Sequence, residues 1–158
     1  MERQYYVTDS STIAAGDTRS IMIITPAQRR RVRVDIVVTV SAICDVQLYE
    51  GADRVAGTAI TPIAADRVWR PVPLMTASHT PTGGTTDGVL IDAAIARVAE
   101  TVTIQPTLQL KANRKYIVKL TANALTEVVH VTVIAWDEEF SLLTTTTTSS
   151  TTSSTTTA

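Results

Sequence analysis

From Arg31 to Val40 the chain alternates with a period of two: Val32, Val34, Ile36, Val38 and Val40 share one face. That spacing marks a β-strand with one buried side. Val37 interrupts the polar face, so part of that face is expected to be covered as well. The same alternation returns three times. Val46 and Leu48 alternate with Asp45, Gln47 and Tyr49; Tyr116, Val118 and Leu120 alternate with Ile117, Lys119 and Thr121. Val129, Val131, Val133 and Ala135 alternate with His130, Thr132, Ile134 and Trp136.

Turn-forming residues separate these runs. They are Glu50-Gly51-Ala52-Asp53, Thr82 to Gly88, Lys111-Ala112-Asn113-Arg114 and Ala122-Asn123-Ala124. Within the second, Asp87-Gly88 is a hairpin-type pair. Pro62, Pro71, Pro73, Pro81 and Pro106 keep Thr61 to Gln105 from forming one regular sheet, and long loops are expected there. The stretch Ile91 to Val102 reads two ways, as a short helix capped by Asp92 or as an irregular loop.

Short strands at this spacing predict an all-β chain: an antiparallel β-sandwich, jelly-roll or Ig-like, with long loops and an extended C-terminal arm. The expected organisation is an N-terminal arm with first strands over 1–28, a β-sandwich over 29–141 and a Thr/Ser-rich tail over 142–158. From Thr144 to Thr157 every residue is Thr or Ser. Such a run cannot build a core and has the composition of a linker. Thr also favours extended backbone, so the alternative is an arm laid as a strand on a partner. Thr144, Thr148, Thr152 and Thr157 are the candidate contact positions along it.

Composition narrows the chemistry. Hydrophobic residues make up 44% of the chain but aromatics only 4%, so Val, Ile, Leu and Ala must fill the core. The net charge of -1 supplies no basic field to hold nucleic acid. Cys44 stands alone, so no intramolecular disulfide can form, and its place in a strand run suits a small buried apolar residue. No apolar run approaches the roughly 20 residues of a membrane span, and Met1 to Tyr6 lacks the pattern of a secretory signal. Synthesis in a cytoplasm is the expectation.

Two stretches carry a family resemblance. One runs from Val46-Gln47-Leu48-Tyr49-Glu50-Gly51 through Gly57-Thr58-Ala59-Ile60-Thr61-Pro62. The other runs from Leu110-Lys111-Ala112-Asn113-Arg114-Lys115-Tyr116 through Val131 to Glu138, with Thr80-Pro81-Thr82 and Asp87-Gly88 between the two. Over roughly Val32 to Glu139 the chain resembles small virion structural proteins of tailed bacteriophages and prophages. The resemblance implies a non-enzymatic protein of the decoration or cement kind, placed on the virion after synthesis in the host cytoplasm. Its partners would be the major capsid protein or other virion proteins. It would be a homo-oligomer, with a trimer favoured by analogy to symmetric capsid positions. A head-fibre, neck or tail module that meets host surface glycans is the alternative.

Motifs for catalysis or cofactor binding do not emerge. His79 and His130 lack the spacing of metal ligands, and there is no GxSxG, GxGxxG or GxxxxGK[ST]. No cofactor or metal site is expected. Arg29, Arg30, Arg31 and Arg33 cluster where the best strand begins. They read either as a patch that grips an acidic partner or as charges that block unwanted edge pairing. Asp137-Glu138-Glu139 is their potential complement, within the chain or across an interface. Trp69, between Arg67 and Arg70, reads either as a core anchor or as an interface anchor.

Overall fold

The computed structural model describes residues 2–27, 30–66, 73, 75–98 and 100–139. Every regular element among them is a strand. The longer ones are β1 (Glu2–Ile13), β2 (Thr18–Ile24), β3 (Arg30–Val40), β4 (Cys44–Glu50), β8 (Val89–Ala96), β9 (Thr101–Leu110), β10 (Lys115–Ala122) and β11 (Glu127–Glu139). Between β4 and β8 lie three short strands, β5 (Thr58–Ile60), β6 (Ile63–Ala64) and β7 (Thr76–His79).

Two antiparallel sheets form a β-sandwich. The first has the order β6-β1-β11-β3-β9 and the second β5-β7-β2-β10-β4-β8. With the short strands set aside and the eight long ones renumbered along the chain, the sheets read 1-8-3-6 and 2-7-4-5. This is the strand order of a jelly roll. Every link between successive long strands crosses from one sheet to the other except β4 to β8. The short strands are inserted in that one link and extend both sheets on the far side. Residues 2–24 are part of the sandwich, because β1 lies between β6 and β11 and β2 between β7 and β10.

The alternation read from sequence becomes the core. Val32, Val34, Ile36, Val38, Val46, Leu48, Tyr116, Val118, Leu120, Val129, Val131, Val133 and Ala135 all join one buried cluster between the sheets. A second, smaller cluster lies on the outer face of the second sheet. There Met22, Ala52 and Ile117 are buried together, with Ile24 and Tyr49 packed against them. The chain after β4 folds back over this face. The Gly51 amide donates to the Lys115 carbonyl at 2.8 Å, and Lys115 Nζ donates to the Arg54 carbonyl at 2.7 Å. That cover is why Ile117, on the supposed polar face of β10, is apolar.

Two local expectations are revised. Ile91 to Ala96 and Thr101 to Val102 are strand, not helix or irregular loop: β8 pairs with β4 from Glu50↔Val89 to Cys44↔Ala96, and β9 begins at Thr101. The helix preference of their alanines amounts to a few tenths of a kcal/mol per residue. Ladder hydrogen bonds and burial of Ala96 against the core outweigh it. Asp87-Gly88 closes no hairpin, since β7 and β8 lie at different places in the second sheet. Gly88 has a φ of +103° and passes so close to the Glu50 carbonyl that no side chain fits. Thr61 to Gln105 is not one regular sheet: β6, β7, β8 and the start of β9 are separate pieces, and Pro106 is tolerated inside β9 because β9 is an edge. The β3–β9 register shifts there, from Val34↔Leu108 to Ile36↔Ile104.

Candidate interaction surfaces

The sandwich has two ends, and the candidate residues fall at both. At the end where β3 begins and β11 finishes, the register sets Arg30 opposite Glu139, Arg31 opposite Glu138 and Arg33 opposite Trp136. The basic and acidic clusters of the sequence are therefore cross-strand neighbours within one chain. Arg33 is held by its own molecule: its guanidinium lies 4.8 Å from the centre of the Trp136 ring, a cation–π contact. The same row continues through Gln4 on β1 and Gln109 on β9. Trp136 is thus an aromatic and arginine anchor point that the alternation alone had placed only as a polar-face residue. Arg29, Trp69, Thr144, Thr148, Thr152 and Thr157 lie outside the described residues.

On the outer face of the second sheet, ion pairs fasten the two segments 51–57 and 80–88. Asp87 accepts from Arg54 Nε at 2.9 Å and from Lys119 Nζ at 3.0 Å. Burial pushes its carboxyl up, yet these two donors outweigh burial and hold it below the usual carboxylate range. Asp53 accepts from the Thr85 amide at 3.0 Å and the Thr86 amide at 2.9 Å, and these bonds lower it likewise. Arg19 grips Asp9 with two bonds of 2.9 Å and reaches Thr80 Oγ1 at 3.1 Å. Thr18, Ser20, Arg54, Thr80, Pro81, Asp87 and Lys119 line a shallow polar cleft of about 170 Å³.

The opposite end is apolar. The β3–β4, β8–β9 and β10–β11 connections meet there around a groove of about 350 Å³. Ala42, Ile43, Val98, Ala124 and Leu125 line it, with Ser41 and Asn123 at its margin. Ile43 is 49% exposed, Val98 57% and Leu125 66%. In sequence these are single apolar residues in three separate loops, so no periodicity marks them. Only the crossing of the two sheets brings them together.

Beside this groove sits a buried carboxylate. Glu127 opens β11 and is 1% exposed, and both its oxygens lack a well-formed hydrogen bond. Burial pushes its carboxyl up; the nearby Cys44 thiol and the Ala42 backbone pull the other way and lose. Cys44 is pushed up to about 12, first by burial and then by the charge of Glu127. The thiol is therefore neutral and hidden. A thiol-specific reagent is expected to leave Cys44 unmodified in native protein and to label it fully in denaturant. Fast labelling of the native chain would contradict this burial.

The two histidines are not brought together. His79 is on β7 of the second sheet, with Nδ1 3.1 Å from Thr80 Oγ1; His130 is exposed on β11 of the first. Among the described residues no three His, Cys, Asp or Glu side chains converge as metal ligands. Among them, too, no helix is long and apolar enough to cross a membrane. Neither the family models, nor the curated proteins, nor the solved structures compared with the chain contain a match.

Proposed function

We propose that this chain is a structural protein of a tailed-phage virion that decorates or cements the capsid by binding assembled subunits. The observation that carries the reading is the jelly-roll strand order, an arrangement used by viral capsid and lectin domains. The argument is one of fold-level analogy, joined to the family resemblance of the Val46–Pro62 and Leu110–Glu138 stretches. In this reading the basic start of β3 and the Thr/Ser tail are the contact elements, and the protein acts as an oligomer, a trimer in the favoured form. Its partner is the major capsid protein, and its place is the virion surface.

The test uses the purified full chain and capsids of the phage that encodes it. The protein should co-sediment with capsids and saturate at a fixed number of copies per particle. Replacing Arg29, Arg30 and Arg31 together with Ser should weaken attachment, and high salt should imitate that loss. Removing residues 144–158 should leave the melting temperature similar and lower the occupancy. Absence of co-sedimentation by the full chain would overturn the capsid assignment.

A second reading rests on the polar cleft of Thr18, Ser20, Thr80, Asp87 and Lys119, whose hydroxyl and charged groups suit a sugar. It makes the protein a head-fibre, neck or tail module. Binding to host glycans that is lost in Lys119→Ala, with no capsid binding, would favour it.

A further inference from the structure

We infer that the apolar end groove is the docking site for residues Phe140 to Leu143 of a second copy of this chain, giving head-to-tail association. The inference is independent of the capsid reading. It starts from where the apolar side chains are and where the chain goes.

The groove gathers Ile43, Val98 and Leu125, three large apolar side chains each about half exposed or more, with Ala42 and Ala124 between them. Three exposed apolar side chains gathered in one concavity make it a candidate contact surface. After β11 the chain continues as Phe140-Ser141-Leu142-Leu143, and from Thr144 to Thr157 it holds only Thr and Ser. Phe140, Leu142 and Leu143 are thus the only large apolar side chains beyond β11. They match the groove in chemistry.

Their own groove is out of reach. β11 spans 13 residues, from Glu127 beside the groove to Glu139 at the opposite end. At the usual rise that is about 43 Å. Leu143 stands four residues past Glu139 and reaches at most about 14 Å from it. Four residues past Glu139 are therefore too few to return to the groove of the same molecule. A groove filled by this segment is filled by a neighbour's. The contact joins two different patches, so it is heterologous and builds rings or chains rather than a self-complementary pair.

Among the described residues, none of those lining the groove is charged: they are Ser41, Ala42, Ile43, Val98, Asn123, Ala124 and Leu125. The nearest buried charge, Glu127, is turned toward Cys44 and Ala42. An acidic residue at Leu125 would face the incoming leucines directly. Because Leu125 is 66% exposed, that change leaves the fold intact.

The experiment measures molar mass by sedimentation velocity over a hundredfold range of concentration. The full chain should self-associate. Leu125→Asp and, separately, a chain ending at Glu139 should each stay monomeric at every concentration, with melting temperatures near that of the full chain. The deciding measurement mixes these two chains. Leu125→Asp still carries the segment, and the shortened chain still carries the groove. Together they should form a one-to-one complex. Leu142→Ser with Leu143→Ser in the first chain should abolish that complex, whereas a Thr-to-Ser exchange throughout 144–157 should not. A monomeric full chain, or a mixture that fails to associate, would overturn the inference. So would a complex that survives the double leucine change. None of these outcomes depends on capsids, so failure here is separable from failure of the capsid reading.

Discussion

Ile36→Ala should lower the unfolding free energy by about 2–5 kcal/mol, the range for emptying a buried Ile site. Ile36 is fully buried at the middle of β3. It pairs with Val133 on β11 and Ile104 on β9, and both are buried in the same cluster. Three strands of the first sheet and the facing second sheet would border the void. The sheets are held by long ladders and cannot collapse locally, so the cavity should persist. The corresponding fall in melting temperature is roughly 10 °C for a chain of this size. Val128→Ala is the control: Val128 is 50% exposed on β11, and its truncation should cost no more than about 0.5 kcal/mol. Denaturant titration of both variants checks the assignment. Near-equal effects would mean that the β3 register is off by one, since a one-residue slip exchanges the two faces.

The second large effect is a dependence on pH through Glu127. Its carboxyl is raised above the ordinary value of 4.5 because burial penalises the charged form. In the unfolded chain Glu127 loses its proton near that ordinary value; in the folded chain it keeps the proton to higher pH. The folded state therefore binds more protons in the interval between, and stability falls as pH rises through it. The contribution is complete below about pH 4.5 and lost by the time pH passes the folded value. The groups that face Glu127 sharpen the effect. Cys44 on β4 stays neutral, and Ile13, the partner of Glu127 on β1, is apolar. Unfolding measured between pH 5 and pH 8 should show the wild-type chain becoming less stable. Glu127→Gln should flatten that slope and leave the variant the more stable chain at pH 8, because the group that must lose a proton on unfolding is gone. A wild-type chain whose stability rises over the interval, with the same slope in Glu127→Gln, would remove Glu127 as the cause.

Cys44 and Glu127 show how much of a site sequence reveals. Cys44 reads from its neighbours as a buried strand residue, and it is fully buried. Glu127 lies between the Ala122-Asn123-Ala124 turn and the alternation that starts at Val129, and as a charged residue it carries no apolar signal. It is buried because β11 begins two residues before the apolar alternation does, so Glu127 falls on the same inward face as Val129 and Val131, beside Cys44. A carboxylate there breaks the local rule, and no local pattern announces it.

The alternating positions of β3, β4, β10 and β11 follow from sequence alone, because a strand with one buried face must be apolar at every second residue. The all-β class and the sandwich follow from the number of such runs. β1 and β2 were less legible. In β1 the hydroxyl-rich run Thr8-Asp9-Ser10-Ser11-Thr12 dilutes the apolar signal. In β2 Ile21, Met22 and Ile23 are buried in succession, Met22 toward the outer cluster, so no alternation remains. β8 was hidden by alanines whose propensity favours helix. What the tertiary structure decided is everything that depends on pairing partners distant in sequence. It ordered the strands as a jelly roll, set Arg30 and Arg31 across from Glu139 and Glu138, and gathered Ile43, Val98 and Leu125 into one groove. Burial at one position is a local property that a period of two can record. Which two strands lie side by side is settled by the sum of hydrogen-bond ladders and core contacts over the whole chain, and no single segment carries that information.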